Sequence, residues 1–463
     1  MSAAKQPRSF AARVAVVGGG WAGCAAAVEL ASTGAQITLF EAARSLGGRA
    51  RAVQAKEALL DNGQHIMLGA YGETLALLRR VGVPAQQALL RLPLQMRYPP
   101  DSGLMDFVAA RLPAPLHMLV ALLRARGLHR EDKLALARFS TSARWMDWGL
   151  DLDCSVAELL ERFGQTPRLT RLMWRPLCLA ALNTPPERAS ANVFLAVLRD
   201  SLGARRQASD MLLPRVLLDA LFPEAARRFI EQRKGQVLCG ARVDAIVQQG
   251  PRWQVTAGNQ PKDFDTVVLA TPAWQSAALL RPLPGMASVA DQLDGFEYEA
   301  ISTVYLQYEP GLRLPLPFCA LLDDPAQGHW GQFVFDRAQL SSGQDRGQDG
   351  LLAVVVSAAS EAAALDQDAL AQAVAAQLAA GFGRPALLRP LWTRVLTEKR
   401  ATFACTPGLA RPANATALPG LLLAGDYTAG DYPATLESAV RSGLAAARLA
   451  ASVKVAAKAG AKP

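Results

Sequence analysis

The chain has 463 residues, 51% of them hydrophobic and 19% charged, and its 49 Lys and Arg exceed its 40 Asp and Glu by nine. That much apolar material excludes disorder for the bulk of the chain, because burial offsets the entropy of ordering it. Six scattered cysteines (Cys24, Cys154, Cys178, Cys239, Cys319, Cys405) with no CxxC pair argue against a disulfide scaffold or a structural metal site, and the absence of aromatic-rich basic motifs argues against nucleic acid.

The cations are 40 Arg and only nine Lys. Such a bias reflects either composition alone or attraction to an anionic surface such as lipid. No apolar run reaches the ~18–20 residues that cross a bilayer. Residues 1–12 lead straight into a strand with no cleavage-type region, so no signal peptide is expected and the chain reads as cytoplasmic.

Arg13–Val17 (RVAVV) is β-branched and suits a buried parallel strand. It runs into Gly18, Gly19, Gly20, Trp21, Ala22 and Gly23, a G-x-G-x-x-G motif. An Ala-rich helix is predicted from Cys24 to about Thr33, stopped by Gly34, and a second strand from Gln36 to Phe40 ends in Glu41. In such a βαβ unit Gly18 permits the tight turn, Gly20 lets a pyrophosphate approach, and Gly23 lets helix and strand close up. The helix N-terminus then meets the phosphates. Glu41 lies 18 positions beyond Gly23, near the offset at which an acid binds an adenosine ribose. An unphosphorylated ribose is favoured, so FAD or NAD fits better than NADP.

Further along, Ala42 and Arg44 lead to Gly47, Gly48 and Arg49, and Asp61–His65 reads DNGQH. Residues 92–107 pattern as a hairpin with its turn in Pro99–Gly103. Residues 110–128 form an apolar segment flanked by Arg111, Arg124, Arg126 and Arg130, which suits either an interfacial helix or a core helix with a solvated basic face. Trp145, Trp148 and Trp174 line a pocket or fill the core. Strands are predicted at 236–247 and 266–270, a sheet-rich block from Glu299 to about Val356, and a helix near 361–380. At the far end Leu421–Ala424 reads as a strand, Gly425 and Asp426 as its turn, and Pro433–Thr435 as the start of a helix. Residues 450–463 read as a frayed, solvated tail.

These motifs, taken together and in order, resemble the flavin-containing amine oxidase/phytoene desaturase superfamily over nearly the full length. The resemblance implies an α/β fold, a Rossmann-like FAD-binding domain with a discontinuous α+β substrate domain. It divides the chain into FAD-binding parts at 11–85, 231–280 and 395–452, substrate parts at 86–230 and 281–394, and a disordered basic tail at 453–463. It implies that Gly48 and Arg49 lie along the diphosphate with Arg44 nearby, that Val243 meets adenine through its main chain, and that Gly425 and Asp426 reach the ribityl–phosphate region. It also sets Thr435 and Leu436 beneath the flavin pyrimidine, where a helix N-terminus stabilises the anionic reduced ring. Gln64 and His65 belong to the same cofactor set.

Residues 61–71 together with Lys399–Ala404 and Gly425–Thr428 resemble one branch, the squalene-associated FAD-dependent desaturases or hydroxysqualene dehydroxylases. That branch implies reduction of hydroxysqualene to squalene and water, with hydride from flavin N5, an apolar tunnel and a proton donor near the departing oxygen. The candidates for the donor are Asp431, Tyr432 and His65. Asp431 serves equally as a cap for the helix near Pro433, and His65 as a neutral hydrogen-bonding group beside the flavin. The implied partners are an apolar C30 isoprenoid, an electron donor outside the chain, since no second dinucleotide motif appears, and the membrane surface. The alternatives are a carotenoid-type desaturase running hydride the other way and a flavin-bound protein without turnover. An amine oxidase fits less well, because the chain is 6% aromatic and offers no clear aromatic cage.

Overall fold

Five parallel strands gathered from three separate stretches of sequence form the sheet on which the rest of the molecule is organised. Their order across the sheet is Gln236–Cys239, Gln36–Glu41, Arg13–Val17, Thr266–Leu269 and Leu421–Leu423. The computed structural model describes residues 12–55, 58–203, 205–341 and 348–459. The leader reading therefore falls almost wholly outside the described residues, as do the last four positions of the predicted tail.

The expected first unit forms, with its helix at Trp21–Ser32. Continuous runs such as Val14–Val17 and Thr266–Leu269 are buried along their whole length, as a parallel sheet covered on both faces requires. The helix is buried at ten of its twelve positions and lies against the carboxy-terminal helix Leu436–Ala459 and the helix Pro223–Gln232. Its alanines allow that close contact. A Cβ on Gly443 would stand 2.2 Å from the Ala22 carbonyl oxygen, so the two helices meet backbone against side-chain-free backbone.

Between the strands Gln236–Cys239 and Thr266–Leu269 the chain makes an antiparallel meander, Val243–Gln249, Arg252–Ala257 and Gln260–Phe264. A second, antiparallel sheet has the order Phe318–Ala320, Phe333–Asp336, Leu351–Val356, Tyr298–Gln307 and Trp392–Phe403. One face carries Val304, Leu306, Leu352, Val354 and Val356 against Leu370, Val374 and Leu378 of the helix Gln367–Phe382. The other presents Tyr305, Phe333, Phe335 and Val355 to the large core shared with the helical region. The strand Trp392–Phe403 lies wholly in this sheet and so runs across the boundary expected at residue 395.

The predicted hairpin pairs Gln95–Arg97 with Asp106–Val108, and the apolar segment after it holds a helix, Leu116–Arg124. Two expectations are corrected. The tail does not begin at residue 450 or 453, because the helix continues to Ala459; alanine and lysine are strong helix formers and no breaker intervenes before Gly460. The last helix starts at Leu436 rather than near Pro433, and its cap is Thr435, whose Oγ1 accepts the Ser438 amide at 3.2 Å while Ser438 Oγ accepts the Thr435 amide at 3.1 Å.

Because the contact at Gly443 is with backbone, Gly443→Val should destabilise the protein by about 1–3 kcal/mol, the usual range for overpacking. Gly430→Ala, where nothing lies within 4 Å of the new Cβ, should leave the melting temperature unchanged. Thermal unfolding of the two variants makes the comparison.

Candidate active site

The glycine turn is set by two forbidden Cβ positions, at Gly18 and Gly23. Gly18 has φ +107°, and a Cβ there would lie 2.5 Å from the Ala270 carbonyl oxygen; one on Gly23 would lie 1.9 Å from the Gly18 oxygen. Gly20 differs, because its Cβ would meet only Gly48 Cα, at 3.9 Å. The backbone there faces open space, bounded by the Gly47–Gly48 loop that bridges to Gly20. Trp21 and Ala22 are buried in the first turn of the helix. Glu41 accepts the Gly19 amide at 2.7 Å through one carboxylate oxygen and the Ala43 amide at 2.7 Å through the other. Each oxygen keeps a second acceptor site, so Glu41 can brace the turn and still receive ribose hydroxyls. Ala42 and Arg44 are exposed beside it, and Arg44 has no hydrogen bond or ion pair among the described residues. Gly240 and Ala241 donate amides to the Ala43 and Glu41 carbonyls, both at 2.8 Å, which brings the neighbouring Val243 to the same rim.

Arg49 ties the opposite end of the chain to this loop. Its guanidinium bonds Asp426 Oδ2 at 2.6 Å and also the carbonyl of Ala401, on the last strand of the antiparallel sheet. Asp426 is buried, and Gly425 cannot carry a Cβ because the Tyr427 ring would lie 2.3 Å from it. Ser442 Oγ accepts the Gly425 amide at 2.9 Å, fixing the strand-end turn to the final helix. That helix begins at Leu436 with its positive end toward the turn, although the Thr435 amide is already engaged by Ser438.

Asp61–His65 crosses between the two sheets. Burial pushes the Asp61 carboxyl up to about 6 despite the nearby Arg337, whose guanidinium stands 3.8 Å away and is itself buried. Arg337 also donates to Gln64 Oε1 at 2.8 Å, which turns the Gln64 amide so that Nε2 is the outward donor. Gln64 Nε2, Asp61 Oδ2 and Thr303 Oγ1 have no partner, a costly state for buried polar atoms unless a bound group meets them. His65 Nδ1 lies 3.0 Å from the Gly63 carbonyl. Burial lowers its pKa against that hydrogen bond, so the ring is neutral near pH 7. The open backbone at Gly20, the unpartnered Arg44 and these orphaned polar atoms together fit a dinucleotide with a polar ring system.

Beyond the Thr435 turn lies an apolar pocket, walled by Ile66, Leu68, Met96, Phe107, Met173, Leu177, Val197, Leu202 and Phe333, with Tyr71, Asp200, Tyr432 and Thr435 at its polar places. Tyr432 donates its hydroxyl to Asp200 Oδ2, and its ring is covered by the Arg441 guanidinium 4.7 Å from the centroid. Burial, then the bond to Asp200, pushes its pKa up to about 12. Burial alone would raise Asp200, but hydrogen bonds from Arg199 and Tyr432 outweigh it and keep the carboxyl below its ordinary value.

Of the expected donors, Asp431 is not brought into the pocket. Its side chain is 72% exposed and lies 3.7 Å from Arg199 on the outer side, and it does not cap the helix, since Thr435 does. Trp174 fills the core and Trp145 is 87% exposed, so neither lines the pocket. Several site residues carried no sequence signal. Asp200 sits on a π-helical turn, Arg199–Gly203, which no periodicity marks. Arg337 lies 273 positions from Gln64. Glu437, buried, accepts both amides at the start of the helix Gly72–Arg80, and only an N-cap search across distant segments would have found it.

The model of the family described as flavin containing amine oxidoreductase matches residues 21–451. The hydroxysqualene dehydroxylase of Rhodopseudomonas palustris is 30% identical over 94% of this chain and 97% of its own. The zeta-carotene desaturase of Synechocystis sp. is 26% identical over 94% of this chain and 96% of its own. Among solved structures, a putative protoporphyrinogen oxidase from Exiguobacterium sp. 255-15 superposes with a TM-score of 0.68, covering 96% of this chain and 99% of that one at 18% identity.

Gly20 is the glycine whose side of the turn is open, so Gly20→Val should fold normally yet purify without its dinucleotide. Gly23→Val, blocked by backbone at 1.9 Å, should fail to fold. Circular dichroism beside the visible absorption spectrum separates the two results, and a coloured Gly20→Val protein would contradict the placement.

Proposed function

This chain belongs to the flavin-containing amine oxidoreductase family, and on that premise we propose that it is an FAD-dependent oxidoreductase that reduces hydroxysqualene to squalene with loss of water. The observation that carries the reading is an apolar pocket meeting the Gly425–Thr435 turn, with a tyrosine and a carboxylate as its polar end. Support for the substrate comes from the likeness, over nearly the whole chain, to an enzyme named for it. In this reading residues 11–85, 231–280 and 404–452 hold FAD, and 86–230 with 281–403 enclose the isoprenoid.

FAD, reduced by an electron donor outside the chain, supplies the hydride. Gly18, Gly20, Trp21, Ala22, Gly23, Gly48, Arg49 and Arg44 hold its diphosphate; Glu41, Ala42 and Val243 hold the adenosine. Gly425, Asp426, Thr435 and Leu436 would hold the ribityl chain and ring, with Gln64 and His65 in the same set. In the pocket Tyr432 addresses the substrate hydroxyl. The alcohol is allylic, so the carbon–oxygen bond breaks to leave a delocalised cation, and the oxygen departs as water with a proton taken from solvent through the polar end. The surrounding apolar wall keeps other water from capturing that cation. A carotenoid-type desaturase remains the second reading, favoured by the Synechocystis relative.

We also propose that the chain works in the cytoplasm against the inner face of the membrane. Among the described residues no helix is long and apolar enough to cross a membrane. On the helix Leu116–Arg124, however, Leu116, Leu119 and Leu123 are exposed, the last at 67%, beside Leu112. Arg111, Arg124, Arg126 and Arg130 flank them, also exposed. An apolar stripe ringed by cations suits the headgroup region of an anionic bilayer.

Purified holoenzyme with a reductant should convert hydroxysqualene to squalene without oxygen and leave phytoene unchanged; desaturation of phytoene with inert hydroxysqualene would favour the second reading. Tyr432→Phe should lower kcat by about 10²-fold while keeping the flavin, as for loss of a group that positions the reacting centre, whereas Asp431→Asn should behave as wild type. Leu119→Glu with Leu123→Glu should abolish co-sedimentation with phosphatidylglycerol vesicles while leaving flavin content intact; retained binding would remove the membrane contact.

A further inference from the structure

Asp200 is the one formally charged residue among those lining the apolar pocket. An isolated carboxylate in such surroundings is costly, and the protein holds it there by three means. Arg199 Nε bonds Oδ1 at 2.8 Å and Nη2 reaches Oδ2 at 3.5 Å. Tyr432 donates to Oδ2. The turn that carries both residues, Arg199–Gly203, is π-helical and continues the helix that begins at Ala191. Such turns are rare and concentrate at functional sites. A second one, Thr170–Trp174, contributes Met173 to the facing wall. Arg199 itself does not line the pocket; it is 40% exposed and also faces Asp431 on the outer side. The ion pair is therefore oriented, with the carboxylate, 26% exposed, on the pocket side and the guanidinium, 40% exposed, on the outer side.

An inward negative end in an otherwise apolar cavity does nothing for a hydrocarbon, but it lowers the energy of positive charge developing beside it. We propose that Asp200 is a catalytic residue whose carboxylate is the counter-charge for the cation formed in this pocket when the substrate loses its oxygen. The proposal rests on the dehydroxylation reading above. In that step the carbon–oxygen bond breaks and the oxygen leaves as water after taking up one proton; the carbon is then completed by hydride from reduced flavin, which is oxidised by two electrons. Asp200 forms no bond and keeps its charge throughout. Tyr432, which donates to it, is held at the same end, so the hydroxyl-bearing carbon is drawn to the place where leaving-group contact and counter-charge coincide. Other charges near the pair are Arg441, which lies over the Tyr432 ring and is itself neutralised by Glu437 at 2.8 Å, and the exposed Asp431.

The test uses oxidised holoenzyme, so that no turnover intervenes, and two probes followed by perturbation of the flavin absorption. One is squalene; the other is the C30 isoprenoid allylic amine that carries a protonated amino group in place of the hydroxyl. Wild type should bind the amine more tightly than squalene. Asp200→Asn, nearly isosteric, should weaken the amine about 10- to 100-fold, as for loss of a close charge partner, leave squalene unchanged, and lower kcat by about 10²–10³-fold. Arg199→Gln should retain or strengthen the preference for the amine, because it removes the compensating cation; loss of the preference in this variant as well would reassign Asp200 to holding the turn and overturn the proposal. An unchanged preference in Asp200→Asn overturns it directly. Wild type that binds squalene and amine equally also overturns the counter-charge while leaving the isoprenoid reading intact, and wild type that binds neither overturns both.

Discussion

Only 1.9 Å separates the Gly18 carbonyl oxygen from the point where a Cβ on Gly23 would stand, and everything else in the molecule is arranged around that approach. It brings the N-terminus of the first helix against the end of the first strand, with the carboxy-terminal helix packed on its other side at Gly443. A third short strand end, at Ala270, closes the turn from the neighbouring chain segment. The turn is thus the product of three parts of the sequence, each intolerant of side-chain volume, and it leaves one open face at Gly20. Glu41 locks that face by taking the Gly19 amide, so the residue read as a ribose ligand is also a structural brace.

The Arg49–Asp426 ion pair extends the same constraint across the molecule. Arg49 follows the loop that faces Gly20, Asp426 follows the last strand of the parallel sheet, and the Ala401 carbonyl belongs to the antiparallel sheet. One half-buried guanidinium therefore joins the three pieces that must agree for a long cofactor and an apolar ligand to meet. Its energetic contribution is less important than its geometry, since a planar fork fixes both partners' directions at once.

Signals confined to about thirty residues were legible in the sequence. The strand–glycine–helix unit, its acid, the hairpin near Gln95 and the turn at Gly425 all declare themselves through local sterics and periodicity, which act the same way in any context. What was not legible depends on segments far apart meeting. Asp200 reaches Tyr432 across 232 positions, Arg337 reaches Gln64 across 273, and neither lies in a motif. Asp431 and Tyr432 were indistinguishable as candidates because both adjoin the turn, and an irregular segment sends neighbouring side chains to opposite sides. The helix start was misplaced for a related reason. Proline at 433 is compatible with a first turn, but the reciprocal Thr435–Ser438 bonds satisfy the first amides better and set the boundary three residues later.

Asp61 and Asp200 are two acids whose surroundings send them in opposite directions. Asp61 has a guanidinium at 3.8 Å, too far for a hydrogen bond, and an oxygen without a partner, so burial dominates and the proton is retained to about pH 6. Asp200 is less deeply enclosed and receives three direct hydrogen bonds, two from Arg199 and one from Tyr432, so charge is retained instead. The difference assigns them different work. Asp61 belongs to the buried polar cluster with Arg337, which in turn donates to Gln64. A carboxylate that stays ionised at the end of an apolar cavity suits a ligand that becomes positive only in passing. In the proposed function, that fixed charge at the pocket is what favours a substrate passing through a cation over one that stays neutral.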